Sequence, residues 1–111
     1  WKFFHEGNIH AAYKCYVFVE NQSLNAGWDR DKIIDELIKR GVPCFSGSCS
    51  EVYLEKAFDN TSYRPKERLP VAKELGETSL MFLVHPTLTE EEIKLTCSVL
   101  SEVMHLAAKQ D

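Results

Sequence analysis

The sequence predicts an α+β fold, a two-layer sandwich in which a small, mostly antiparallel sheet carries helices on one face and a long C-terminal helix closes the chain. Three observations predict it. Residues 11–20 alternate, with Tyr13, Cys15, Val17 and Val19 on one side and Lys14, Tyr16, Phe18 and Glu20 on the other, the period of a strand covered on one face. Stretches 29–40 and 89–108 repeat apolar residues at helical spacing behind residues suited to capping. A short apolar run, 80–84, bounded by Pro86, reads as a buried strand between them. Strands interleaved with helices that share one sheet face give two layers around one core. The 111 residues are read as a single domain, 1–111, of a size that buries roughly 60% of its unfolded surface or somewhat more.

Each element has its own justification. After the first strand, the turn-rich residues 21–28 lead to Asp29, whose carboxylate suits the unpaired amides of a new helix, with Asp31 in the first turn. Ile33, Ile34, Leu37 and Ile38 fall on one face of that helix, and Gly41 offers the left-handed stop. Residues 43–45 form a short edge strand, since Pro43 cannot donate to a ladder. Residues 50–58 read as a helical turn presenting Tyr53 and Leu54 inward, with Tyr53 a core residue. Residues 59–69 have the composition of an exposed loop. Pro70 opens a short helix ending near Gly76. Thr89 and Glu92 have capping-box spacing, and Leu88 is placed to staple against Ile93. Ile93, Cys97, Leu100, Val103 or Met104, and Ala107 mark the inner face of the last helix.

Composition excludes several function classes. A formal net charge of -4, with Lys and Arg scattered, lacks the clustered basic stripe that neutralises a phosphate backbone, so nucleic acid is not an expected partner. The longest apolar run is far shorter than the ~20 residues that span a bilayer, so no membrane association and a cytoplasmic location are expected. Cys15, Cys44, Cys49 and Cys97 are read as free thiols, with Cys97 packed on the inner helix face. The Cys44-x4-Cys49 pair has neither the CxxC spacing nor neighbouring ligands of a metal site. His5, His10, His85 and His105 stand apart and read as surface or packing residues, so no metal is expected. The chain opens on Trp1 without a signal pattern, and is read as a piece of a longer protein whose numbering starts mid-chain.

The most informative stretch is 41–58, where a helix-ending glycine runs through a short strand into a loop of small residues of the kind that closes over a ligand. Together with the first strand, the Arg30-Asp31 pair, the Gly41-Val42 turn and the helix start Leu88-Thr89-Glu90-Glu91-Glu92, it resembles the C-terminal small domain of the DegT/DnrJ/StrS aminotransferases, from about His10 to Leu106. Those enzymes depend on pyridoxal phosphate and aminate keto groups on nucleotide-linked sugars. The resemblance implies a helper role: the lysine that holds the cofactor lies in a large domain not represented here, and none of this chain's lysines stands in its context. No catalytic residue and no cofactor site are therefore expected in this chain, which instead walls the site, helps exclude water and shapes the sugar pocket.

Substrate contacts follow by position. Where relatives carry a His-Tyr-Pro type sequence that meets the sugar, this chain has Gly47-Ser48-Cys49. Small residues cannot act as imidazole and phenol do, so contact through backbone amides and the hydroxyls of Ser46 and Ser48 is expected, with Phe45 and Gly47 beside them. Enlarging Gly47 is expected to fill the pocket while leaving the fold nearly untouched. Relatives place a histidine where Lys14 stands; Lys14 reads equally as a contact to a substrate phosphate or carboxylate and as a solvated strand lysine. The implied partners are the nucleotide sugar, an amino donor and a second copy of the complete enzyme. Two other readings stay open: a stand-alone protein-interaction domain, and a small thiol redox protein using Cys44 and Cys49.

Overall fold

The computed structural model describes residues 13–109. Its elements are β1 (Lys14–Phe18), α1 (Arg30–Lys39), β2 (Cys44–Phe45), α2 (Pro70–Thr78), β3 (Ser79–Leu83) and α3 (Glu90–Ala107), with single 3-10 turns at Asn21–Ser23, Val52–Leu54 and Lys56–Phe58. The sheet order is β1-β3-β2 and both pairings are antiparallel. The α+β class and the long final helix agree with the sequence. Ala11, Ala12 and the histidines at 5 and 10 lie outside the described residues.

Alternation decides which side of the sheet is buried. Cys15 pairs with Phe82, Val17 with Leu80, and Cys44 with Phe82, so these side chains share a face. Against them pack Ile33 and Leu37 of α1 and Val99, Val103 and Ala107 of α3, with Val19, Leu24 and Val42 at the margins. The edge strand β2 is short because Pro43 precedes it and the loop turns away at Ser46.

Both long helices are held by their ends. Asp29 Oδ1 accepts from the Lys32 amide at 2.8 Å. At the other end Gly41 takes a φ of 82°, and the amides of Gly41 and Val42 donate to the carbonyls of Ile38 and Leu37, which is a Schellman stop. In α3, Glu92 N donates to Thr89 Oγ1 while Glu92 Oε2 accepts from Thr89 N, a complete capping box.

Four expectations are corrected. Ile38 is 53% exposed, because the apolar stripe of α1 is centred on Ile33 and Leu37 and Ile38 reaches its rim beside Pro43. Cys97 is exposed and Ile93 half exposed: α3 docks through Val99, Val103 and Ala107, nearer its C-terminus. That end is tied down, with Asn25 Nδ2 donating to the Leu106 and Ala108 carbonyls and Lys109 Nζ to Gln22 O. Helix α2 runs past Gly76 to Thr78. Gly76 is not a stop; a Cβ there would lie 2.2 Å from Ser50 Oγ, so the missing side chain admits the loop after β2. Finally, Tyr53 is no core residue and Leu54 does not point inward: Tyr53 is half-buried and hydrogen-bonded, and Leu54 is 39% exposed.

Candidate functional site

The second face of the sheet carries Lys14, Tyr16 and Phe18 from β1, Phe45 from β2, and Ser79, Met81 and Leu83 from β3, as the pairing register requires. Tyr16 and Phe45 stand opposite Met81 on its two sides. Met81 and Ser79 are buried, while Tyr16, Phe18 and Phe45 stay 36%, 56% and 47% exposed. This face is therefore aromatic and only partly covered. Its cover is the loop that follows β2.

The loop is fastened at successive residues. Ser79 Oγ donates to Ser46 O at 2.6 Å. Gly47, at φ 93°, lies against the Tyr16 ring so closely that a Cβ would be 2.5 Å from Cε1. The Ser48 amide donates to the Tyr16 hydroxyl at 3.2 Å, and Ser48 Oγ shares a second hydrogen bond with it at 3.1 Å. Ser50 then meets α2 at Gly76. The hydrogen bond shared with Ser48 Oγ is the main reason the Tyr16 phenol lies below its ordinary pKa; the Ser48 amide and the Lys14 charge act the same way against partial desolvation.

Beyond the loop opens a shallow cleft of about 390 Å³, lined by residues 46–51, Leu54, Glu55 and Gly76. One wall is fixed by Glu51. Arg68 grips its carboxylate with Nε at 2.7 Å and Nη2 at 2.5 Å, and the Tyr53 hydroxyl donates to it at 2.6 Å. The Leu69 amide donates to that hydroxyl in turn at 2.9 Å. These bonds, Arg68 first and Tyr53 second, pull the Glu51 pKa from the ordinary 4.5 to about 2. Partial desolvation first, and then the Glu51 carboxylate, raise the Tyr53 phenol. At the rear, Arg30 Nη1 donates to the carbonyls of Gly76 and Ser79, each at 3.0 Å. The residue of the Arg30-Asp31 pair thus joins the start of α1 to the junction of α2 and β3.

Of the residues singled out from sequence, Ser46, Gly47 and Ser48 line the cleft together. Phe45 lies on the aromatic sheet face beside Met81 and outside the cleft lining. Lys14 shares that face but stands opposite Leu83, with its Nζ over the Tyr13 ring at 5.4 Å from the centroid. Sequence reasoning missed Tyr16, Ser79, Glu51, Arg68 and Gly76. Only Tyr16 carried a signal, through its place on the same alternating face as Lys14.

The cysteine pair does not make a redox centre. Cys44 is buried in the core and its burial pushes the thiol pKa up, whereas Cys49 is exposed with its Sγ 3.7 Å from Glu55. No group of three or more His, Cys, Asp or Glu side chains among the described residues gathers to hold a metal ion. Four of the described lysines are engaged away from anything resembling a pyridoxal-phosphate site. Lys32 is spent on Gly27 O and the Trp28 ring, Lys39 on Glu36, Lys94 on Glu90 and Lys109 on Gln22 O, all on the outer surface. Such a site needs a lysine beside a cup of phosphate donors.

No family model matches the chain, and a search of the curated proteins finds no match. Among solved structures, the X-ray structure of the aminotransferase from Psychrobacter cryohalolentis matches with a TM-score of 0.84 and 65% sequence identity, over 87% of this chain. This chain is homologous to part of an aminotransferase. It spans 25% of that protein's length. Identity at this level over most of the chain makes the shared fold and the aminotransferase relation one finding. No described helix is long and apolar enough to cross a membrane.

Proposed function

We propose that this chain is the C-terminal small domain of a pyridoxal-phosphate-dependent aminotransferase of the DegT/DnrJ/StrS kind, acting on a nucleotide-linked keto sugar, and that residues 46–48 form part of the wall of the sugar pocket. The observation that carries it is the fastened loop: on a chain homologous to part of an aminotransferase, it holds small residues against the partly covered sheet face and turns Ser46, Gly47 and Ser48 to an open polar cleft.

The chain's own work in this reading is binding and shaping. Peptide groups and hydroxyls suit a sugar, whose hydroxyls both donate and accept. The aromatic face of Tyr16, Phe18 and Phe45 is the surface that the rest of the enzyme covers, excluding water from the pocket. Lys14, at the margin of that face, would in this reading meet a negatively charged substrate group rather than the sugar. In this reading the cofactor belongs to the remainder of the enzyme, as does every bond-making step. A homodimer of the complete enzyme and a separate amino donor complete the reading.

The test is kinetic. In the full natural chain, Ser48→Ala is expected to raise KM for a nucleotide-linked keto sugar by roughly two- to tenfold, the worth of one neutral hydrogen bond. KM for the amino donor is expected to stay unchanged. Full activity toward the sugar in Ser48→Ala and in Ser48→Trp would remove residues 46–48 from the pocket.

A further inference from the structure

We propose that Tyr16 is a positioning residue, a brace across the sheet that holds residues 46–49 in the shape in which they meet ligand; this rests on the reading of that loop as part of the substrate pocket. The loop's first fastening, Ser79 Oγ to Ser46 O, and its last, Ser50 against Gly76, lie at its two ends. Between them Gly47 and Ser48 are held by Tyr16, and Cys49 Sγ lies 3.7 Å from Glu55 Oε1. The Tyr16 ring edge stands where a Cβ of residue 47 would be, and the Tyr16 hydroxyl meets both the amide and the Oγ of Ser48. A loop pinned only at its ends keeps freedom at its crest, and Tyr16 removes it from the rigid side, since β1 is hydrogen-bonded along the central strand.

The hydrogen-bond arrangement also sets how Ser48 presents itself. The amide hydrogen occupies one lone pair of the phenol oxygen. In the proposed state the phenol proton is directed to Ser48 Oγ, which leaves the serine proton free to donate outward. Tyr16 thereby makes Ser48 a donor toward a sugar or carbonyl oxygen, without itself touching the ligand. Tyr16 also covers Met81, so a purely structural role must be separated from this one.

Tyr16→Phe makes that separation, because it keeps the ring over Met81 and against Gly47 and removes only the hydroxyl. In the full natural chain, amide exchange followed by mass spectrometry is expected to quicken for residues 47–49 by roughly two- to tenfold per lost hydrogen bond, with the melting temperature little changed. Ser48→Ala, which leaves its amide on Tyr16, is expected to quicken exchange less. With a UDP-linked 4-keto hexose as acceptor and L-glutamate as donor, Tyr16→Phe is expected to raise KM for the acceptor and leave KM for glutamate unchanged. Unchanged exchange in residues 47–49 would overturn the brace whatever the substrate. Faster exchange with unaltered acceptor kinetics, while Ser48→Trp still blocks the acceptor, would overturn the positioning role alone. If neither variant altered acceptor kinetics, the pocket reading would fail and the positioning role with it.

Discussion

Gly47 and Gly41 occupy the same region of backbone space, at φ 93° and 82°, and differ in what surrounds them. A Cβ at Gly41 meets nothing within 4 Å, whereas one at Gly47 strikes the Tyr16 ring. Gly41→Ala is therefore expected to cost only the left-handed penalty, about 1–2 kcal/mol. Gly47→Ala pays the same strain and must also displace a ring held by Ser48, so its melting temperature is expected to fall further. Thermal melts of the two variants compare them, and equal losses would show that Tyr16 yields without resistance. The expectation that Gly47 can be enlarged at little structural cost does not hold, because the space beside it is filled. Sequence could mark Gly47 as small and loop-borne. It could not show the cause, since the neighbouring ring belongs to a residue far back in the chain on another strand.

The elements were most legible where a local signal decides them. Asp29, Gly41, Thr89 and Glu92 cap α1 and α3 as their spacing indicates, because capping is a contact between residues three or four positions apart. Thr89→Ala is expected to cost about 1 kcal/mol, read from a denaturant melt. Less legible was what depends on long-range pairing: that β3 is the central strand, that Gly76 lies inside α2, and that Arg68 reaches back to Glu51 from a loop whose composition says only that it is exposed. That last contact gives a pH prediction. The Glu51 pKa falls from 4.5 to about 2 through Arg68 and then Tyr53, and that of Glu36 to about 2 through Lys39 and then Arg40. A carboxylate whose pKa is depressed in the folded state stabilises the fold above its unfolded value, and that contribution is lost as pH falls through the folded value. Stability should accordingly decline between about pH 4.5 and pH 2. Arg68→Met should flatten part of the decline by freeing Glu51, and an identical acid titration in that variant would show that the clasp does not form.

On the scale of the molecule, the fold has a buried core on one side of the sheet, and on the other a partly covered aromatic face with a fastened loop. The class and the loop were legible because both rest on patterning along the chain, while the cleft walls were not, because they rest on residues brought together by folding. The chain alone is expected to retain no pyridoxal phosphate after free cofactor is removed, measured by absorbance of the protein fraction. Stoichiometric retention at one lysine would mean that this chain holds its own cofactor site. Amine transfer to a nucleotide-linked keto sugar by the full natural chain, with this domain shaping the sugar pocket, is what the proposed function requires. It is tested most directly by incubating that protein, saturated with pyridoxal phosphate, with nitrogen-15 glutamate and a UDP-linked 4-keto hexose, and following the label by mass spectrometry. Nitrogen-15 is expected in the sugar, at a rate that Ser48→Trp lowers sharply while the melting temperature holds. Unlabelled sugar from the wild-type protein, or equal labelling by Ser48→Trp, would contradict it.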